Sequence, residues 1–148
     1  MRISRSGDYI AQIRLIGGRV FEKLLAASGT DAFNGPQGKI LDALWQKEKE
    51  GLSAHEIGQR TGLANSTLTG MLDRMESAGL VERRRSTEDR RVIRVWPGPK
   101  AQICKEKYAS VSEKMTAIYF QGFSEEEMTA FEKYLLRVLE NVRGADGK

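Results

Sequence analysis

The sequence predicts a mostly α-helical fold in which a helix-turn-helix unit precedes a β-hairpin, with long amphipathic helices on either side. Two short helical segments are separated only by Gly62, Leu63 and Ala64. After them, the apolar residues change from helical spacing to the alternation that is typical of strands. Both ends of the 148-residue chain carry apolar residues at helical spacing. This length fits one domain, or one domain with appended helices.

Two helices are predicted before the helix-turn-helix. The first spans about Asp8–Ala27, because apolar residues recur there every three or four positions. Its apolar face consists of Ile13, Ile16, Val20 and Leu24. Residues 28–35 form a loop by composition, and Pro36 is expected to begin the second helix, where its missing N–H is not needed. The apolar face of the second helix consists of Ile40, Leu41, Leu44 and Trp45.

The first helix of the helix-turn-helix carries two start signals. Ser53 and Glu56 have the spacing of a capping box, in which each side chain bonds to the other residue's backbone N–H. Leu52 and Ile57 stand at the two positions of a hydrophobic staple. This helix is expected to end near Thr61–Gly62.

The second helix of the helix-turn-helix and the hairpin follow directly. Asn65 is expected to be the N-cap of the helix, and Gly79 fits the left-handed position after its end. The inward-facing residues of this helix are Leu68, Met71, Leu72 and Met75. The hairpin is predicted to have strands at Val81–Arg85 and Arg91–Trp96, joined by a polar turn.

Two further helices are predicted after the hairpin. The fifth begins near Lys100 and carries a stripe formed by Cys104, Tyr108, Val111, Met115 and Ile118. The sixth begins at Ser124, which forms a second capping box with Glu127. Its heptad-like seam consists of Met128, Phe131, Leu135, Val138 and Val142. These stripes favour pairing of two chains, and the alternative is that they complete the core of a monomer.

The composition excludes several classes of function. One cysteine and one histidine are too few for a disulfide framework, a structural zinc site or most nucleophile–histidine centres. We therefore expect no metal, no cofactor and no enzyme. Cys104 lies on an apolar stripe and is expected to be buried rather than redox-active. No apolar run approaches the roughly 20 residues of a membrane span, so we expect a cytoplasmic protein without a signal peptide.

The positive charge of the chain is concentrated in the hairpin. Residues 81–100 contain seven of the 24 basic and three of the 20 acidic residues, whereas the other 128 residues contain 17 of each. The whole net charge of +4 therefore lies in 20 residues. Such a cluster is typical of contact with a polyanion, and the alternative is a solvated basic hairpin.

A helix-turn-helix followed by a basic hairpin is a winged helix-turn-helix, whose second helix can enter the DNA major groove. The residues expected to meet the base edges are Asn65, Ser66, Thr67, Thr69 and Gly70. Plain helix capping is the alternative for Ser66 and Thr67. Arg74 lies one turn further along and is better placed for a phosphate, as is Arg84 on the hairpin.

The tip of the hairpin holds a carboxylate two residues before an arginine. Asp89 can pin the Arg91 guanidinium or brace the turn through the backbone. An ordered Arg91, with Arg90 beside it, can enter the DNA minor groove. The alternative is an ordinary surface salt bridge. Among the three arginines at positions 83–85, at most two can share a face with DNA, and one can pair with Glu82 or Asp73 instead.

Residues 52–96 resemble the winged-helix core of the MarR family of bacterial transcription regulators. The most specific segments are LDRMESAGLVERR in and after the second helix and Asp89-Arg90-Arg91 in the hairpin. The resemblance implies a homodimer, a pseudo-palindromic operator, and repression relieved by a ligand or by oxidation, and the usual ligands of the family are small aromatic, often anionic, molecules. It also implies a minor-groove role for Arg91 with support from Asp89, and a major-groove position for the polar helix.

The predicted organisation has three parts. Residues 1–35 contribute to dimerisation, residues 36–99 form the DNA-binding domain, and residues 100–148 supply dimerisation helices and a short tail. The function expected from these features is that of a dimeric, sequence-specific regulator of transcription that binds double-stranded DNA. The alternative is a winged-helix module that binds an acidic protein partner.

Overall fold

The computed structural model describes residues 1–147 and confirms the predicted order of elements. Helices α1 (Ser6–Ala27) and α2 (Gly35–Trp45) precede strand β1 (Leu52–Ser53) and helices α3 (Ala54–Thr61) and α4 (Asn65–Ser77). Strands β2 (Val81–Arg85) and β3 (Ile93–Pro97) form the hairpin, and helices α5 (Pro99–Tyr119) and α6 (Glu125–Asp146) follow. The contacts divide the chain into two compact units, residues 1–112 and the residues from 113 onward.

The three strands form one antiparallel sheet in the order β1-β3-β2. Leu52 pairs with Val95, and on the other side of β3 the same Val95 pairs with Arg83. The two-residue strand β1 was not predicted from the sequence. Because it lies directly before α3, it joins the hairpin to the start of the helix-turn-helix.

The core of the first unit lies between α2, α3, α4 and the inner face of the sheet. Eleven side chains there are at most 2% exposed, namely Ile40, Leu41, Leu44, Leu52, Ile57, Leu68, Leu72, Met75, Leu80, Val81 and Val95. They include most of the apolar residues that the helical and strand periodicities place inward. The helix-turn-helix and the hairpin therefore pack on one core.

The helix termini confirm most of the local signals. Ser53 and Ser124 each form the predicted capping box. Gly79 has a φ of 77°, and the next backbone N–H donates to the Met75 carbonyl at 2.9 Å, as in a Schellman motif. The prediction for Asn65 is wrong: Ala64 occupies the N-cap position, and Asn65 is the first helical residue. The Asn65 side chain therefore remains exposed rather than capping the helix.

Helix α2 begins earlier than predicted. Asn34 is its N-cap and forms a capping box with Gln37, so Pro36 is the second helical residue. Tyr108 of α5 is only 2% exposed and packs against three rings. Its ring centroid lies 5.7 Å from Phe21, 6.1 Å from Phe33 and 5.4 Å from Trp45. This aromatic cluster holds α1, α2 and the first part of α5 together.

Helix α1 has an apolar surface that the described residues leave exposed. Its buried residues are Gly17, Phe21 and Leu25. The apolar stripe predicted from the sequence does not coincide with this buried face, because two of its residues, Ile13 and Ile16, are each 49% exposed. Cys104 on α5 was expected to be buried but is only half-buried.

The second unit contains the end of α5 and helix α6. The rings of Phe120, Phe123 and Phe131 pack edge to face, with centroids 5.3–6.2 Å apart, and hold the turn between the two helices. The seam predicted on α6 is otherwise open: Phe131, Leu135, Val138 and Val142 are 41–60% exposed. Among the described residues, none of the helices combines the length and apolar character needed to cross a membrane.

Candidate nucleic-acid interface

The exposed end of α4 carries the residues predicted to meet the bases. Its opposite face is buried through Leu68, Met71, Leu72 and Met75. The structure brings the predicted residues together on the outer side of the first turns, where Asn65, Ser66, Thr67 and Thr69 are exposed and Gly70 is half-buried. The surface is narrow and polar because none of these side chains is longer than asparagine.

Hydrogen bonds within α4 leave most of this polar surface available. The Thr69 hydroxyl donates to the Asn65 carbonyl at 2.9 Å, which leaves its oxygen lone pairs as acceptors. The N-cap position provides no side-chain hydrogen bond, so the backbone N–H groups of the first turn are open to an outside acceptor. The positive end of the helix dipole favours a phosphate at such a position.

Arg74 is exposed one turn further along the helix, as predicted. Its guanidinium folds back over Gly70, where a Cβ atom would lie 3.4 Å from Arg74 Nη1. The absence of a side chain at Gly70 therefore leaves space for the arginine close to the helix.

The tip of the hairpin is held by local hydrogen bonds. The Ser86 N–H donates to the Val92 carbonyl at 2.8 Å, and the Val92 N–H donates to the Asp89 carbonyl at 3.0 Å. The Ser86 hydroxyl oxygen accepts from the N–H groups of Glu88 at 3.2 Å and Asp89 at 3.4 Å. These contacts give the loop a defined shape, which positions the arginines that follow.

Asp89 performs both roles that the sequence left open. One carboxylate oxygen accepts from the Arg91 backbone N–H at 3.0 Å and from Arg91 Nε at 3.1 Å. The other accepts from Arg91 Nη2 at 3.1 Å. These bonds lower the pKa of the Asp89 carboxyl. The Arg91 side chain is nevertheless 90% exposed, so the wing presents an oriented guanidinium to the outside.

The three consecutive arginines of β2 have three different environments. Arg83 donates to Asp73 at 2.7 Å and to Glu76 at 2.9 Å, both on α4. Arg85 donates to the Arg90 carbonyl at 2.8 Å, which ties the strand to the loop. Of the two partners that the sequence left open, Glu82 and Asp73, the structure shows Asp73, and it adds Glu76.

Arg84 lies on the opposite face of β2 from Arg83. Its guanidinium carbon is 4.1 Å from the centre of the Trp96 ring, and no described residue forms an ion pair with it. A cation stacked on a ring keeps the N–H edge of its guanidinium available. Arg84 is therefore the member of the triplet best suited to bind a phosphate.

Two residues near this site were missed by the sequence analysis. Trp96 supports Arg84, and Arg94 attaches β3 to the turn before α3. Arg94 donates to the carbonyls of Glu50 at 2.8 Å and Gly51 at 2.9 Å, and it pairs with Glu56 at 3.3 Å. Neither role has a local signal, because each depends on the register of the sheet. Among the described residues, no group of three potential metal ligands occurs.

This arrangement defines a winged helix-turn-helix protein with a basic wing. The family model described as the MarR family matches residues 33–93, which include α3, α4 and most of the hairpin. The organic hydroperoxide resistance transcriptional regulator of Bacillus subtilis is 33% identical over 107 residues, which are 72% of this chain and 70% of that protein. The chain belongs to the MarR family.

Other comparisons agree with this assignment. The transcriptional regulator TtmR of Methylorubrum extorquens is 39% identical over 90 residues, which are 61% of this chain and 44% of that protein. With three of the curated relatives, the match spans only 44–64% of their length. A crystal structure of a MarR mutant from Escherichia coli with operator DNA has the same fold, with a TM-score of 0.76. It is 22% identical and is aligned over 90% of this chain and 92% of that chain.

Proposed function

We propose that this protein is a dimeric, sequence-specific regulator of transcription that binds double-stranded DNA and acts as a repressor. One observation carries the proposal. The polar first turns of α4 and the oriented, 90% exposed Arg91 lie on two elements that pack on the same core. The net positive charge of the chain lies in the same hairpin. Duplex DNA offers the matching features, a wide groove for a helix and a negatively charged narrow groove beside it.

The residues have distinct roles in this proposal. The polar end of α4 reads base edges in the major groove through Asn65, Ser66, Thr67, Thr69 and Gly70. Arg74 and Arg84 bind phosphates on either side and set the register of the protein on the duplex. Arg91 enters the minor groove, Asp89 orients it, and Arg90 adds positive charge at the same tip.

Pairing of two chains is the second part of the proposal. Residues 36–99 bind DNA, whereas residues 1–35 and 100–148 join the two chains. The support comes from apolar side chains that the single chain leaves 41–60% exposed, including Ile13, Ile16, Leu135 and Val142. Two chains related by a two-fold axis read half-sites about 10 bp apart, or a multiple of this spacing, and therefore an inverted repeat.

Release by a small ligand is the third part. Two solved structures with this fold are described with aromatic ligands, BpsR of Bordetella bronchiseptica with 6-hydroxynicotinic acid and CouR of Rhodococcus jostii with p-coumaroyl-CoA. Both ligands also carry acidic groups, so we extend the proposal to a small aromatic or anionic effector. A labelled duplex should be released by aromatic carboxylates, and equal release by acetate would make the negative charge alone the recognised feature. The same proposal places the protein in the cytoplasm and gives it no enzymatic activity.

Selection of bound fragments from a random duplex pool tests the DNA-binding part directly. The expected result is enrichment of one inverted repeat whose half-sites are about one helical turn apart. Heparin serves as the polyanion control. If heparin competes as well as the enriched duplex, the basic hairpin binds polyanions without reading sequence. An acidic protein partner then becomes the better assignment.

A further inference from the structure

The strongest side-chain link between the wing and α4 is a single arginine with two carboxylates. Arg83 Nη2 lies 2.7 Å from Asp73 Oδ1 and 2.9 Å from Glu76 Oε1. Asp73 and Glu76 are three positions apart and therefore lie on the same face of α4. The Arg83 side chain is 28% exposed, less than either carboxylate, so it forms the sheltered centre of the cluster.

This cluster lies between the two parts of the candidate interface. Asp73 and Glu76 belong to α4, whose first turns carry the polar residues from Asn65 to Gly70. Arg83 belongs to β2, which leads directly into the loop that holds Arg91. The neighbouring Arg85 continues the connection by donating to the Arg90 carbonyl at 2.8 Å. Arg83 therefore connects the wing to α4 through its side chain.

Arg83 differs from the arginines that are available to DNA, because its guanidinium is already paired with two carboxylates. Its hydrogen bonds to Glu76 and Asp73 raise the pKa of Arg83, and its bond to Glu76 lowers the pKa of that carboxyl. Together with Asp73 and Glu76, Arg83 forms a cluster with a net charge of −1, so the cluster as a whole does not attract a phosphate. Arg84 on the outer face of the strand has no such ion pair among the described residues.

We propose that Arg83 is a positioning residue that fixes the angle between the wing and α4, so that the two elements enter adjacent grooves of one duplex. This inference rests on the proposed DNA-binding function. Its consequence is a loss of discrimination without loss of a DNA contact. When the cluster is broken, the wing and α4 can still attach to phosphates, but they no longer reach their grooves together.

Charge provides a sharp test, because the two sides of the cluster have opposite signs. Arg83→Met removes a positive charge, whereas Asp73→Ala with Glu76→Ala removes two negative charges together with the two acceptors of Arg83. If these residues act only through the overall field, the first variant binds DNA more weakly and the second more tightly. If they set the angle, both variants lose preference for the selected duplex over a scrambled duplex. Glu82→Gln is the matched control, since this exposed carboxylate on β2 lies outside the cluster.

The experiment measures Kd for the selected and the scrambled duplex at several salt concentrations, using full-length protein whose folding is checked by circular dichroism. We define the specificity ratio as the Kd for the scrambled duplex divided by the Kd for the selected duplex. This ratio should fall roughly tenfold in both cluster variants, comparable to the loss of about one base contact. The salt slope of Arg83→Met should stay at the wild-type value, because no phosphate contact is lost. Glu82→Gln should retain the full ratio.

Two results would overturn the inference. One is that the variant lacking both carboxylates keeps the wild-type ratio of Kd values. Arg83 would then have a purely structural role. The other is a shallower salt slope for Arg83→Met, which would make Arg83 a direct DNA contact. Wild-type protein that shows no preference between the two duplexes would instead refute the proposed function, and the inference with it.

Discussion

Replacement of Arg91 by alanine should remove the proposed minor-groove contact of the wing while leaving the fold intact. The Arg91 side chain is 90% exposed, and within the described residues its hydrogen bonds all go to Asp89. Its loss therefore opens no cavity and leaves no buried group without a partner. We expect the same thermal unfolding midpoint for the variant and the wild type.

The size of the effect on binding follows from the number of wings. Each neutralised phosphate contributes about −0.9 to the slope of log K against log salt, and a paired protein presents two copies of Arg91. The slope should therefore become shallower by about 1.8 in the variant. Between 50 and 200 mM salt, this change should narrow the affinity gap between wild type and variant by about tenfold.

Fluorescence anisotropy with a labelled duplex from the selection measures this slope. Arg5→Ala is the matched control, because Arg5 is also exposed and pairs with one nearby carboxylate, Asp8, at 3.2 Å. The control should keep the wild-type slope. If Arg91→Ala also keeps the wild-type slope in a folded protein, the assignment of Arg91 to the interface is refuted.

Three further substitutions test other parts of the account. Asp89→Asn adds positive charge to the wing but loosens Arg91, so affinity for the selected duplex should fall in the same titration, and a rise would indicate that charge alone matters. Gly70→Ala should stabilise α4 by up to about 1 kcal/mol in urea unfolding, because its Cβ meets only the mobile end of Arg74. The added methyl group should weaken binding if α4 lies deep in the groove, and unchanged affinity would place α4 further out. Leu135→Lys should shift the protein towards monomers in sedimentation experiments, and an intact dimer would remove this residue from the pairing surface.

Local signals account for the parts of the fold that the sequence predicted well. The capping boxes at Ser53 and Ser124 and the left-handed turn at Gly79 involve residues within a few positions of one another. The residue types that make such contacts can be read from neighbouring positions in the sequence. Asn65 was assigned wrongly because cap preference contributes only about 1 kcal/mol, and the short turn after Gly62 places Ala64 at the cap position instead.

The surroundings of the wing arginines show the limit of sequence reasoning at the site. The spacing of Asp89 and Arg91 is local, and the predicted contact is present. The contact between Arg84 and Trp96 depends on the register in which β2 pairs with β3. No short-range pattern specifies that register.

Helix α1 illustrates a related limit. Periodicity identified the stripe with Ile13 and Ile16, but the face that packs on the core of its own chain is formed by Gly17, Phe21 and Leu25. A helix with apolar residues on two adjoining faces has a broad stripe, and periodicity alone does not decide which part meets which partner. The packing of α2 and Tyr108 against Phe21 is what distinguishes the buried face of α1 from its exposed face.

Sedimentation equilibrium of the protein with its selected duplex tests the central claim most directly. We claim that a wing and a polar helix are presented twice, by two chains, to one DNA molecule. The predicted mass is that of one duplex with two chains, and a duplex cut to a single half-site should bind far more weakly. A complex of one chain per duplex, bound equally well by the half-site, would contradict the claim.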